Sequence, residues 1–199
     1  MNSFYQKETK TLYLERSTGD CRDGRWVDGL DLSERPVRIV VGTGPGSFAG
    51  IRSALAFAQG YRLGSGCEVL GLSSACAVCA EAHRMLELGD DAAVSVVGDA
   101  RQGKFWVADF IGLRLVGDVG QVDRDELPTR VPKTVRVVSP DHRRIGPLLA
   151  ELFPGRYDGE CLPTAEGLAD FAAADASMLR EEPRPYYLNP AVRTASARS

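Results

Sequence analysis

Histidine is almost missing from this chain: His83 and His142 are the only two in 199 residues, and they lie far apart. No H-E-x-x-H and no closely spaced histidine pair occurs, which sets aside a zinc peptidase. No G-x-S-x-G frames a serine nucleophile, because Ser47 stands in Pro45-Gly46-Ser47-Phe48-Ala49-Gly50 instead. No apolar run is long enough to cross a bilayer and no signal-peptide pattern opens the chain, so a cytoplasmic protein without a membrane partner is expected. An excess of positive charge is lacking too. The net charge of −3 leaves no electrostatic footprint for binding a nucleic acid unaided, so any such contact is expected to be indirect.

Cysteine is sparse and odd in number. Cys21, Cys67, Cys76, Cys79 and Cys161 form no disulfide framework and fit a reducing compartment. Cys76 and Cys79 make a C-x-x-C, but the first follows Ser-Ser-Ala and no second pair completes a metal site. Buried, reduced thiols are the expectation.

What is present is a core of ordinary size. A 44% hydrophobic chain of 199 residues makes one domain or two small lobes. Its organising stretch runs from Val37 to Arg52. A β-rich apolar run (Val37 to Val41) breaks at Gly42-Thr43-Gly44-Pro45-Gly46-Ser47 and resumes with helical spacing from Ile51 to Leu63. That pattern is a strand, a tight loop and a helix N-terminus, which aims backbone N–H groups outward. A Walker loop needs a lysine that is not there. Gly44, Gly46 and Ala49 meet the dinucleotide fingerprint formally. The ribose-binding acid expected roughly 20 residues on is absent, however, since the next strand (Glu68 to Leu72) ends in Ser73-Ser74. A glycine-rich turn without ligand is the plainer reading.

The helix after the loop has two unlike faces. Ile51, Ala54, Leu55, Phe57, Ala58 and Tyr61 fill an apolar arc, while Ser53, Ala56 and Gly60 make a stripe of small side chains opposite. Small residues let another helix approach closely. Either a second element of the same chain covers this stripe, or a partner does. Ser53, Ala56, Gln59, Gly60 and Leu63 are the candidate partner-facing set.

Further along, Ser73 or Ser74 caps a helix reaching about Leu88, with Ala75, Val78, Cys79, Ala82 and Leu86 inward. Gly89-Asp90-Asp91 marks a boundary, which divides the chain into residues 1–90 and 91–199. Ala93 to Asp99, Lys104 to Phe110 and Leu113 to Val116 read as a meander turning at Arg101-Gln102-Gly103. Asp99 sits at a strand end, where turn capping or pairing with Arg101 outweighs a metal or catalytic role. Residues 123–132 read as loop and Thr134 to Val138 as a strand. A helix is expected to follow Ser139, with Pro140 at its first position and a kink or restart at Gly146-Pro147. A last helix is expected from Thr164 to Leu179. Near the start, Thr11 to Glu15 alternates like a strand, with Arg25 to Asp28 as its expected hairpin partner. Neither an acid-tipped first strand nor a long helix is read before Val37.

The words G-x-G-P-G-S-F-x-G-x-R, from Gly42 through Arg52, resemble the signature of the TsaB (YeaZ) family. Asp99-Ala100-Arg101-Gln102-Gly103-Lys104-Phe105-Trp106 is similar to that family's D-A-R-x-G-x-V/I-Y hairpin. Pro185-Tyr186-Tyr187-Leu188-Asn189 is similar to its P-x-Y-L-R. The resemblance covers roughly residues 37 to 192 and departs at Ala49, where the family usually has Thr. It implies an α/β fold of two ribonuclease H-like (actin/Hsp70-type) lobes, the first incomplete for want of the opening strand and helix, with a shortened or divergent N-terminus. It also implies a non-catalytic accessory subunit with no cofactor, serving threonylcarbamoyl transfer onto a tRNA adenosine beside the anticodon. The resemblance implies a TsaD-type catalytic subunit as partner, leaves room for a TsaE-type ATPase and for a homodimer, and implies that tRNA is met only indirectly. Gly44, Pro45, Gly46, Ser47, Phe48, Arg52, Asp99 and Arg101 are its motif residues here. The alternative left open is a nucleotide- or small-molecule-binding enzyme using the Gly44–Ser47 loop.

Overall fold

Residues 3–18, 30 and 32–188 are described by the computed structural model. The chain opens as a hairpin: β1 (Ser3–Gln6) pairs antiparallel with β2 (Thr11–Leu14), and Lys10 takes a φ of 49° in the turn. Every residue of β2 is buried, which suits an inner strand, and β2 runs parallel to β3 (Arg38–Gly42). Strand alternation then sends Leu12, Leu14, Ile39 and Val41 to one face and Tyr13 and Val40 to the other. Helix α1 (Phe48–Ser65) covers the first face with Ile51, Ala54, Leu55 and Ala58. Ser47 caps it by accepting from the Gly50 N–H, and Gly66 ends it at φ 71°. β4 (Glu68–Leu72) follows, parallel to β3.

Helix α2 (Ser74–Met85) lies on the other face, between this sheet and a second one. The second sheet is a meander of β5 (Ala93–Arg101), β6 (Lys104–Ile111) and β7 (Arg114–Asp123), then β8 (Arg136–Ser139) and β9 (Tyr157–Glu160). Its order is β7-β6-β5-β8-β9, with β8 parallel to β5 and β9 parallel to β8. α3 (Leu127–Arg130) and α4 (His142–Leu152) close its outer face over Val97, Phe105, Val107 and Val137. Helix α5 (Ala165–Ala174) packs beside α2 between the two sheets. This close pairing needs small residues: a Cβ on Gly167 would stand 2.7 Å from the Ala77 carbonyl oxygen. Finally β10 (Arg180–Glu181) returns to the first sheet, antiparallel to β4. The layers are therefore α1, first sheet, α2 with α5, second sheet, and α3 with α4.

The fold is α/β with two ribonuclease H-like lobes. Where the second lobe has a three-stranded meander before its parallel strands, the described residues of the first have only the β1–β2 hairpin. No helix among the described residues is long and apolar enough to cross a membrane.

Several local expectations need correction. The hairpin partner of β2 is β1; the segment Arg25 to Asp28 lies outside the described residues. Residues 127–130 form the one-turn helix α3, drawn in because Leu127 is fully buried against the second sheet. Pro140 precedes α4, which begins at His142 with Asp141 as its N-cap, and Pro147 lies inside the helix without ending it. The carbonyl that loses its partner there belongs to exposed Arg143, where water can serve it. α5 stops at Ala174, followed by a separate 3₁₀ turn at Ala176–Met178.

Candidate functional site

A cleft of about 960 Å³ opens between the lobes, and the glycine loop forms one wall. That loop is clamped from beneath. Ser73 Oγ and the Ser74 N–H donate to the Gly44 carbonyl at 3.0 and 2.8 Å, and the Gly44 N–H donates to Ser74 Oγ at 3.0 Å. The Gly44–Pro45 peptide is cis. Gly46, at φ 154°, admits the backbone of Ser17, whose carbonyl accepts from the Ser47 N–H; any Cβ at 46 would overlap Ser17.

Ser17 is held in turn by Glu15. This contradicts the expectation that the first lobe lacks an acid at a strand tip. β2 is that strand, and Glu15 follows it directly, 1% exposed, packed under Gly42 beside Ser74. Its Oε1 accepts the Ser17 N–H at 2.6 Å. Burial pushes its carboxyl pKa up, against amides of Ser17 and Arg16 and the Ser17 and Ser74 hydroxyls, which favour the charged form. Glu15 thus props the loop from inside the sheet rather than lining the cleft. Its sequence signal was the alternating strand Thr11 to Leu14 just ahead of it.

The opposite wall comes from the second lobe. Asp99, near the end of β5, accepts the Arg101 N–H at 2.7 Å and pairs with Arg144 at 3.1 Å and with the Arg101 guanidinium at 3.5 Å. Its own N–H donates to Asp141 Oδ2 at 2.9 Å, and Asp141 pairs with Arg144. Arg101 and Gln102 adopt left-handed φ values of 69° and 57° in the tight turn before Gly103. Asp99 therefore caps a turn and ties α4 to β5. Exposed Arg101 and Arg143 face the cleft. Asp141, Arg143 and Arg144 carried no recognisable motif in the sequence and join the site only through the β5–α4 contact.

The rim is aromatic. Phe48, 44% exposed at the start of α1, stacks on Tyr187 with ring centres 5.0 Å apart, and the Arg52 guanidinium lies 4.9 Å over Phe48. Pro45, Gly46, Ser47, Phe48, Asp99 and Arg101 are thus brought onto one cleft, with Gly44 behind it and Arg52 at its edge.

The stripe on α1 is a separate surface. Ala56 and Gly60 are exposed, Ser53 and Gln59 half-buried, and Leu63 is 90% exposed. A Cβ on Gly60 or Gly64 would meet nothing within 4 Å, so no described residue stands against the helix at these two positions.

Other reactive groups are placed elsewhere. Cys67, Cys76, Cys79 and Cys161 are free and buried, and burial raises the Cys76 and Cys161 thiols to about 12 and Cys79 likewise upward. Burial lowers the pKa of His83 at the end of α2, with Asp90 opposing. His142 on α4 lies 2.8 Å from the Tyr157 hydroxyl. No group of three His, Cys, Asp or Glu side chains among the described residues could hold a metal ion.

Two ribonuclease H-like lobes about a cleft, with a glycine loop feeding the helix α1, define a ribonuclease H-like α/β class. Comparison with known proteins then specifies the relationship. Residues 31–131, just over half of the chain, match the family described as TsaD, tRNA N6-adenosine threonylcarbamoyltransferase. The chain belongs to this family. Among solved structures it is similar to YeaZ from Pseudomonas aeruginosa, at 26% identity and a TM-score of 0.60 over 82% of this chain and 79% of that one. It is equally similar to an uncharacterized Pseudomonas aeruginosa protein titled as having similarity to peptidase YEAZ, at 27% identity and a TM-score of 0.60, covering 84% of this chain and 80% of the other. Within the family the chain is therefore TsaB (YeaZ)-like. No curated protein matches it.

Proposed function

We propose that this chain is a non-catalytic partner subunit of the TsaB type, which supports threonylcarbamoyl transfer to a tRNA adenosine by a TsaD-type subunit. The family match and the YeaZ likeness support that role in tRNA modification. The observation that carries the partner-subunit reading is the open side of α1, where Ala56, Gly60 and Leu63 face solvent. A glycine in a helix interior costs about 1 kcal/mol relative to alanine, and a close-packed neighbouring helix is a use that would offset it. In this reading Ser53, Ala56, Gln59, Gly60 and Leu63 receive a TsaD-type subunit or a second copy of the chain. A TsaE-type ATPase joins the assembly, tRNA is met through the partner, and the complex works in the cytoplasm.

Pull-down against the TsaD homologue of the same cell is the direct test. The parent chain retains that subunit, and Gly60→Leu loses it while its own melting temperature does not fall, since the new side chain meets open space and leucine is the better helix former. Retention by Gly60→Leu would refute the docking surface, and threonylcarbamoyl transfer that proceeds equally well without this chain would refute the role. The competing reading, a small-molecule-binding enzyme, draws on the cleft beside Gly46 and Ser47. Saturable nucleotide binding by the isolated chain would favour it.

A further inference from the structure

The last described segment ties the two lobes together at the cleft mouth. On the first lobe it is held along its length. Arg180 and Glu181 pair with Gly71 and Leu70. Pro183 crosses so close above Gly71 that a Cβ there would stand 2.7 Å from the Pro183 Cβ. The Tyr186 N–H donates to the Thr43 carbonyl at 2.8 Å, and Tyr187 stacks on Phe48. On the second lobe the Tyr186 hydroxyl donates to the Val119 carbonyl at 2.8 Å.

That carbonyl is free to accept because β7 is irregular there. Val107 pairs with Gly120 and Asp109 pairs with Val116, so residues 117–119 bulge out opposite Ala108 alone, with Gly117 at φ 72°. A bulge of this kind frees ladder groups and re-aims them. Val119 and Leu188 also pack on the core shared by both lobes, which gives the contact an apolar backing. Tyr186, Tyr187 and Leu188 line the cleft itself.

We propose that residues 180–188 are a latch across the inter-lobe cleft, and that the β7 bulge at 117–119 is its catch, engaged through the Tyr186 hydroxyl. The strap side is zipped to the lobe that carries the glycine loop and α1, so releasing the catch lets the cleft mouth open while β10 stays paired. This inference stands independently of the role proposed above.

Hydrogen exchange on the full chain tests it. Removing one hydroxyl in Tyr186→Phe should speed exchange roughly 2- to 10-fold, the population shift expected for one net hydrogen bond. The increase should occur in two segments together, the strap amides of 184–188 and the bulge amides of 117–120, with α1 and β4 unchanged. Tyr187→Phe, which keeps the ring stacked on Phe48, should match the parent. Unchanged exchange in Tyr186→Phe, a rise in only one of the two segments, a rise spread over the whole protein, or the same rise in Tyr187→Phe would each overturn the latch.

Discussion

Replacing Glu15 by glutamine should make the protein progressively more stable than its parent as the pH rises. The carboxyl is 1% exposed, and burial raises its pKa above the ordinary 4.5. Below that ordinary value it is protonated whether the chain is folded or not, so it adds no pH dependence. Between the ordinary and the raised folded value, the unfolded chain releases a proton that the folded chain keeps. The folded state then binds more protons, and parent stability falls with pH at up to about 1.4 kcal/mol per unit before levelling off. The glutamine side chain has no proton to lose in this range, and its amide oxygen can still accept the Ser17 N–H that Oε1 now takes at 2.6 Å. The stability difference between Glu15→Gln and parent should therefore be flat in acid and then grow across the window. For a chain of this size each kcal/mol moves the melting temperature by roughly 2–4 °C, so the gap should widen by roughly 3–6 °C per pH unit. Urea melts of both proteins at half-unit steps from pH 4.5 to 8.5 measure it. Glu15→Leu is the control: it removes the acceptor, strands the Ser17 N–H, and should lie about 1–3 kcal/mol below Glu15→Gln at every pH. A difference between parent and Glu15→Gln that stays constant, or narrows with rising pH, would refute the reasoning: a constant gap would mean that folding leaves the carboxyl's pKa unchanged, and a narrowing one that the folded state favours the carboxylate.

Two further outcomes follow from packing. Gly98 pairs across the strand with Trp106, whose indole fills the space where a Cβ would go, so Gly98→Val should cost about 1–3 kcal/mol in a urea melt through overpacking; a neutral substitution would show that the indole can move aside. Cys67, Cys76, Cys79 and Cys161 are buried and reduced, and their thiols should resist Ellman's reagent at pH 8 in the native protein yet react fully in urea. Rapid native labelling of any of these four, located by peptide mapping, would contradict their burial.

The legible parts of the fold were those with local signals. The glycine loop, the apolar arc of α1, the capped helix α2 and the β5–β6 hairpin all follow from spacings of one to four residues. Where the reading went astray, a distant partner had overridden the local signal. Pro147 announces a break, yet Ile145 and Leu149 bury on the second sheet and carry α4 through it. The polar, proline-marked stretch before Pro132 reads as loop, but the buried Leu127 winds one turn of helix. Glu15 went unrecognised as a strand-tip acid because β2 is only four residues long, and its central position depends on pairing with β3 across the intervening chain.

By itself, the order of side chains determined that a strand must turn through glycines into a helix with one small-residue side, because backbone sterics, capping and helical periodicity act between near neighbours. Only the tertiary structure decided what that turn rests on and faces. Glu15 beneath it, Ser73 and Ser74 behind it, Asp99 and Arg101 opposite it, and Tyr186 reaching to Val119 at its rim are joined by contacts across separate elements. Those contacts form only once two hydrophobic sheets have closed on α2 and α5, and burial of that shared core, which leaves no periodic trace at the cleft residues themselves, is what brings them together.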